Sequence, residues 1–280
     1  MHDSDTTFRI RVDLAYDGTS YHGWATQPGL PTVQETVEMG LGKIFRQPIK
    51  TTVAGRTDAG VHAARQVIHF DIAPQLWERL TGHNPARPPE DALVTKLNGA
   101  LGRENGAIRI LGARLAPPGF DARFSPLSRS YRYRITADPD PLTRHFTYHH
   151  RKPLMVETMA AEVAGLEGLH DFGSFCKPRP GATTIRTLHN FSVETDDSLI
   201  TIRLRADAFC HHMVRALVGA LLQVGDGRRQ PGWLRDRLAR PVRDSQMVIA
   251  PAHGLILDQV EYPDDEQVAS RAEQTRAKRV

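Results

Sequence analysis

A strict period of two over Phe8–Tyr16 constrains this chain more than any other feature. Phe8, Ile10, Val12, Leu14 and Tyr16 fall on one side, and Arg9, Arg11 and Asp13 on the other. This is the signature of a strand with one face in a core and one in water. The alternation returns in the second half, where Tyr131, Tyr133 and Ile135 alternate with Arg132 and Arg134.

Helix patterns fill the intervals. Thr32-Val33-Gln34-Glu35 has the form of a capping box, and Val33, Val37, Leu41 and Ile44 make the apolar stripe behind it. A helix is predicted near Ala92 to Leu101 and a strand near Ile108 to Leu115. In the second half a helix is predicted from near Leu154 to Leu166. Strands over Thr187–Thr195 and Leu199–Arg205 follow, joined by a turn at Asp196-Asp197-Ser198. An apolar helix is predicted over Cys210–Val224, with His211 and Arg215 one turn apart at the edge of its stripe. Each half reads as strand, helix, strands, helix, strand, although no sequence repeat is visible. The expectation is an α+β fold, a largely antiparallel sheet with helices on one face. The divisions expected are 1–115, 116–263 and, over 264–280, a charged segment that reads as a mobile tail or a frayed helix. Thr81 to Glu90 reads as a Pro-rich excursion from the core.

One stretch carries candidate chemistry. Ala54-Gly55-Arg56-Thr57-Asp58-Ala59-Gly60-Val61-His62 sets a single carboxylate between two glycines, with Arg56 two residues upstream. Apolar runs flank it, Thr51–Ala54 before and Val67–Phe70 after. A Gly-bounded loop turns tightly and lets the backbone approach a substrate closely. A polar turn with a capping Asp fits the same residues.

The order of motifs resembles the TruA family of tRNA pseudouridine synthases. Gly55–His62 looks like that family's active-site signature. Tyr16-Asp17-Gly18-Thr19, Gly23-Trp24, Phe120–Ser125, Arg129–Tyr133, Ala208–Arg215 and Gly254–Leu257 resemble its further motifs, in its order, from about Phe8 to Pro263. The resemblance implies two ferredoxin-like, RNA-recognition-like halves meeting at a central catalytic cleft. It implies isomerisation of uridine to pseudouridine at tRNA positions 38, 39 and 40, in the anticodon stem-loop, a redox-neutral reaction with no cofactor and no metal. It puts Asp58 in the catalytic role, as nucleophile or as base on the sugar. A carboxylate kept ionised in a partly buried site needs a cationic partner, and the resemblance assigns Arg215. Snorkelling along the helix flank would also suit that arginine. Arg56 would fill the space left by the extruded base or hold the nucleotide's phosphate, and Tyr131 would pack on the flipped uracil. For these two, a surface ion pair and a core position are the plainer readings. The resemblance also implies a homodimer. Three positions depart from the family pattern: Ala25 for a glutamine, Gly102 for a proline and Ile256 for a tyrosine.

Composition narrows the partners. The net charge is +4, but residues 103–152 hold ten Lys or Arg against four acidic residues, interleaved with Tyr131, Tyr133, Phe146 and Tyr148. Arginine beside aromatics suits phosphate contacts and base stacking, so Arg123, Arg129, Arg144 and His211 are RNA-binding candidates, with tRNA as partner. A solvated basic face is the alternative. No run approaches the ~20 apolar residues of a membrane span. The N-terminus lacks an apolar signal region, so a cytoplasmic location is expected. Cys176 and Cys210 read as separate, buried, reduced thiols. His145 and His149 are four apart and His211-His212 adjacent, but no Cys or Glu completes a zinc pattern. A non-catalytic RNA-binding protein would show an aromatic-rich RNP strand, which is missing. A metal-dependent hydrolase built on Asp58 and histidines would be sensitive to chelators.

Overall fold

A computed structural model describes residues 7–82, 86–102, 106–179, 181, 183–242 and 247–276. The chain divides into two units, which are described separately. Unit 1 runs to Leu127 and takes in the C-terminal segment from Val260; unit 2 is Ser128–Gln259.

Unit 1 is built from β1 (Phe8–Tyr16), α1 (Val33–Phe45), β2 (Thr52–Val53), β3 (His62–Ile72), α2 (Pro74–Glu78), α3 (Pro89–Leu101) and β4 (Ile108–Leu115). β1 lies between β4 and β3, and β2 pairs with β3, all antiparallel. With α1 and α3 in the two crossovers, this is the ferredoxin-like order, fourth strand, first, third, second. The alternation of β1 emerges as expected: Ile10, Val12 and Leu14 are fully buried. Thr32 caps α1 by accepting the Glu35 backbone N–H at 3.4 Å. Val33, Val37, Leu41 and Phe45 form its buried face. Of the expected 81–90 loop, residues 83–85 lie outside the described residues, and Pro89 already opens α3.

Unit 2 repeats the order. Its elements are β5 (Ser128–Thr136), β6 (Tyr148–His149), α4 (Val156–Val163), β7 (Gly168–Asp171), β8 (Ile185–Asp196), β9 (Leu199–Ala206), α5 (Met213–Gly225), α6 (Trp233–Ala239) and β10 (Leu255–Glu261, of which the residues to Gln259 belong to this unit). The strands run β10-β5-β9-β8-β7, with the two-residue β6 alongside β5. α5 is the unit's buried spine: every residue from Ala216 to Gly225 is buried.

Two expectations about boundaries change. Residues 116–127 belong to unit 1 because Phe120–Ser125 is tied there from several directions. Arg9 donates to the Phe120 carbonyl at 2.7 Å, the Ala122 N–H donates to His69 Nδ1 at 3.0 Å, and the Phe120 side chain is fully buried. The segment from 264 also packs. It forms α7 (Val268–Arg276), with Val268 and Ala272 buried, Ser125 Oγ donating to the Val268 carbonyl at 2.9 Å and Arg276 pairing with Asp121 at 2.7 Å. Charge and lack of periodicity left a mobile tail and a frayed helix both open, because only two of its side chains, Val268 and Ala272, are buried.

Candidate active site

Asp58 sits in the connection between β2 and β3, residues 54–61, and this loop is held from both flanks within unit 1. At its entry the Ala54 N–H donates to the Val67 carbonyl at 2.9 Å, continuing the β2–β3 ladder. At its exit the Val61 N–H donates to the Asp58 carbonyl at 3.2 Å, closing a tight turn in which Gly60 has φ 75°. That left-handed conformation is the one glycine adopts without steric cost.

The segment after β1 clamps the loop from above. Trp24 N–H donates to the Thr57 carbonyl at 3.0 Å and Gly60 N–H to the Tyr21 carbonyl at 3.2 Å. Gly18 is required by contact: a Cβ there would lie 2.1 Å from the Val61 carbonyl oxygen. The Gly18 N–H instead lies 3.0 Å from Nδ1 of the buried His62 ring, and the Asp17 carboxylate lies 3.1 Å from the same nitrogen. Below the loop, the Tyr16 hydroxyl lies 2.8 Å from Thr57 Oγ1, and Gln66 Nε2 donates to the Gly55 carbonyl at 2.8 Å and to Tyr16 at 3.2 Å. Burial pushes the Tyr16 phenol up to about 12, so it stays protonated and can bridge. Thr57 is thus buried and fixed, Asp58 half-buried, and Arg56 exposed. A carboxylate so presented on a rigid loop can act as nucleophile or base with little reorganisation.

Comparison with known proteins decides the family. The chain is 50% identical to the tRNA pseudouridine synthase A of Frankia casuarinae, over 99% of this chain and 97% of that one. It is 47% identical to the enzyme of that name from Leifsonia xyli (99% of each chain) and 46% identical to that from Streptomyces avermitilis (97% and 94%). A family model described as tRNA pseudouridine synthase matches residues 163–263. The chain belongs to the tRNA pseudouridine synthase A family.

Within unit 2, the residues that the family resemblance singled out have these settings. Arg215 lies in the first turn of α5, half-buried, and exchanges two hydrogen bonds with Ala250: its Nε donates to the Ala250 carbonyl at 2.8 Å, and the Ala250 N–H donates to its own carbonyl at 3.0 Å. Its side chain is therefore oriented by the Ala250 carbonyl. Tyr131 is only 8% exposed, and its ring meets the edge of Phe209 at 5.1 Å and 88°.

His211 departs from the expected helix. α5 begins at Met213, because His212 takes φ 68° and breaks the helical path. His211 precedes the cap, half-buried, its carbonyl accepting the Lys177 N–H at 2.8 Å. The thiol expectation is also corrected. Cys176 and Cys210 are joined as a disulfide, Cα to Cα 5.6 Å, across 34 residues. That separation in sequence gives no local signal for pairing.

The basic candidates divide. Arg123 (unit 1) and Arg144 (unit 2) are exposed, the first stacked at 5.0 Å over Phe124. Arg129 is 8% exposed and donates to the Asp207 carbonyl at 2.8 Å. It does not offer the surface charge the sequence suggested, because its position on β5 turns the side chain inward to a backbone acceptor. His149 lies in β6, and His145 lies outside the strands and helices. Sequence reasoning missed Gln66 as part of the site and met Tyr16 only as the end of a buried face and the start of a family-like motif. The trace of Gln66 was an amide beside the apolar Val67 and Ile68.

Proposed function

We propose that this protein isomerises uridine to pseudouridine in the anticodon stem-loop of tRNA, at positions 38, 39 and 40, with Asp58 as the carboxylate that acts on the nucleotide. The reaction breaks the bond between uracil N1 and the sugar, turns the base and rejoins it through C5. The C5 hydrogen leaves as a proton. The observation that carries this reading is the setting of Asp58, one carboxylate on a loop fixed at Gly55, Thr57 and Gly60, in a chain that belongs to the family over its whole length. Arg56, exposed beside it, is assigned to the extruded nucleotide. Tyr131 is assigned to the face of the flipped uracil and Arg215 to the charge balance of the catalytic carboxylate. Arg123 and Arg144 supply phosphate contacts. The partner is tRNA, engaged by a cytoplasmic homodimer. Among the described residues no helix is long and apolar enough to cross a membrane.

Tritium release tests the reading directly. From tRNA labelled with [5-³H]uridine, a C5-linking isomerase releases the label to water. Release is expected from wild type and not from Asp58→Asn, with tRNA affinity at fixed salt within about threefold of wild type, an energetic difference below 1 kcal/mol. No release by wild type would overturn the function. Release by Asp58→Asn within about tenfold of wild type would move the chemistry to another residue.

A further inference from the structure

Gln66 is fully buried on β3, and among its strand neighbours Val67, Ile68 and Phe70 are buried and apolar. A buried primary amide is costly unless its donors are used. Here both Nε2 hydrogens are used, one on the loop that carries Asp58 and one on the last residue of β1. One goes to the Gly55 carbonyl at 2.8 Å and one to the Tyr16 hydroxyl at 3.2 Å. A carbonyl oxygen can only accept, which fixes the amide nitrogen on that side. The Tyr16 hydroxyl, accepting from Gln66, also shares a hydrogen bond with Thr57 Oγ1 at 2.8 Å.

The chain Gly55, Gln66, Tyr16, Thr57 therefore grips the residues on both sides of Arg56, and the second grip is adjacent to Asp58. The register of β1 contributes. Leu14 faces Gln66, but the ladder slips before Tyr16, which faces Ala63. A slip of this kind re-aims a side chain, here the Tyr16 hydroxyl, towards Thr57.

We propose that Gln66, acting through Tyr16, is a positioning residue that holds the Asp58 loop in its reactive geometry. The inference rests on the reading of Asp58 as the catalytic carboxylate. Neither residue need touch the nucleotide. Their effect falls on the chemical step, because displacing a reacting group by about 1 Å costs on the order of a hundredfold in rate.

The test is single-turnover tritium release, tRNA Kd and Tm for wild type, Gln66→Met, Tyr16→Phe, the double variant, Gln66→Glu and Asp58→Asn. Gln66→Met keeps the volume and removes the donors. The rate of the chemical step should fall about 10- to 100-fold with Kd within about threefold. The double variant should be no slower than the slower single one, because both cut the same chain. Gln66→Glu should acquire a new alkaline limb. The protonated acid can still donate to Gly55, whereas the carboxylate faces an oxygen, so the rate falls as pH rises through the pKa of the introduced group.

A chemical step within twofold of wild type in Gln66→Met, at whatever Tm, would overturn the inference. If that variant does not fold, the same result in Tyr16→Phe would do so. Turnover retained by Asp58→Asn would overturn the Asp58 reading and this inference with it. An inactive Asp58→Asn beside a wild-type rate in Gln66→Met would overturn the positioning role alone.

Discussion

The two units share a strand order, yet the same connection in each has a different use. In unit 2 the second and third principal strands, β8 and β9, pair until Asp196 faces Leu199. Only Asp197 and Ser198 remain for the turn, and Asp197 takes φ 49° to close it. In unit 1 the second strand, β2, has two residues, and the chain leaves the ladder at Ala54 to return at His62. The eight intervening residues hold Asp58. One topology thus gives a closed hairpin where strand pairing runs to completion and a presented carboxylate where pairing stops early. Side-chain and backbone bonds from Tyr16, Tyr21, Trp24 and Gln66 then supply the order that a ladder would have given.

The sharpest way to break this comparison is to neutralise one aspartate in each connection. Asp58→Asn should lose at least a thousandfold in turnover, about 4 kcal/mol of transition-state stabilisation. Asp197→Asn should leave turnover unchanged, since asparagine tolerates the same left-handed backbone. Equal effects in a tritium-release assay would show that the loop has no special role.

Glycine contacts give the next largest effect. Gly18→Ala would drive a methyl group against the Val61 carbonyl, 2.1 Å from its ideal position, and backbone cannot swing aside. A loss of about 3 kcal/mol of stability together with turnover is expected. Gly225→Ala in unit 2 meets Met159 Sδ at 2.5 Å and Cγ at 2.8 Å, side-chain atoms of a buried methionine rather than backbone. It should cost less, about 1 to 2 kcal/mol with turnover kept, because methionine can adapt its rotamers where a carbonyl cannot move. Denaturant unfolding and kcat measured on both variants would decide this.

Acid should loosen unit 1 more than unit 2. Burial, then the nearby Arg9 guanidinium, lowers His69 in unit 1 to about 4. Its neutral Nδ1 accepts the Ala122 N–H. A histidine depressed in the fold contributes stability that is complete above its unfolded value of about 6.5. That contribution is lost as pH falls towards the folded value, about 2 kcal/mol of it by pH 5. In unit 2 burial also lowers His150, but Asp226 at 3.4 Å acts in the opposite direction. Hydrogen exchange at pH 7 and pH 5 should show β3 amides losing more protection than β9 amides. Equal losses would mean that His69 is not the acid-sensitive point.

The smallest effect concerns the hairpin itself. Asp197→Gly should stabilise unit 2 by up to about 1 kcal/mol, because glycine adopts φ 49° without the Cβ penalty. Turnover should not change. A destabilised variant in urea unfolding would mean that the aspartate side chain, rather than its backbone, holds the turn.

Much of the fold was legible in the sequence because long elements carry their period with them. β1 and β4 have the expected bounds, α3 and β9 differ from expectation by three residues or fewer at either end, and α1 follows its capping signal. The short elements were not legible. β2 and β6 have two residues each and β7 four, too few for a period, and their neighbours in the sheet define them. α5 lost its first three expected residues to the left-handed His212. Arg129 showed a basic residue in a basic run, and only the strand's orientation turned it inward to Asp207.

For the site, the sequence by itself determined where the candidate carboxylate lies, which glycines flank it and which family the chain resembles, because loop chemistry is written in consecutive residues. Only the tertiary structure decided what holds Asp58 in place and that Cys176 meets Cys210. Tyr16, Trp24 and Gln66 reach the 54–61 loop from other elements. The pairing of a buried donor with a distant acceptor is set by the folded backbone, and no local sequence pattern records it.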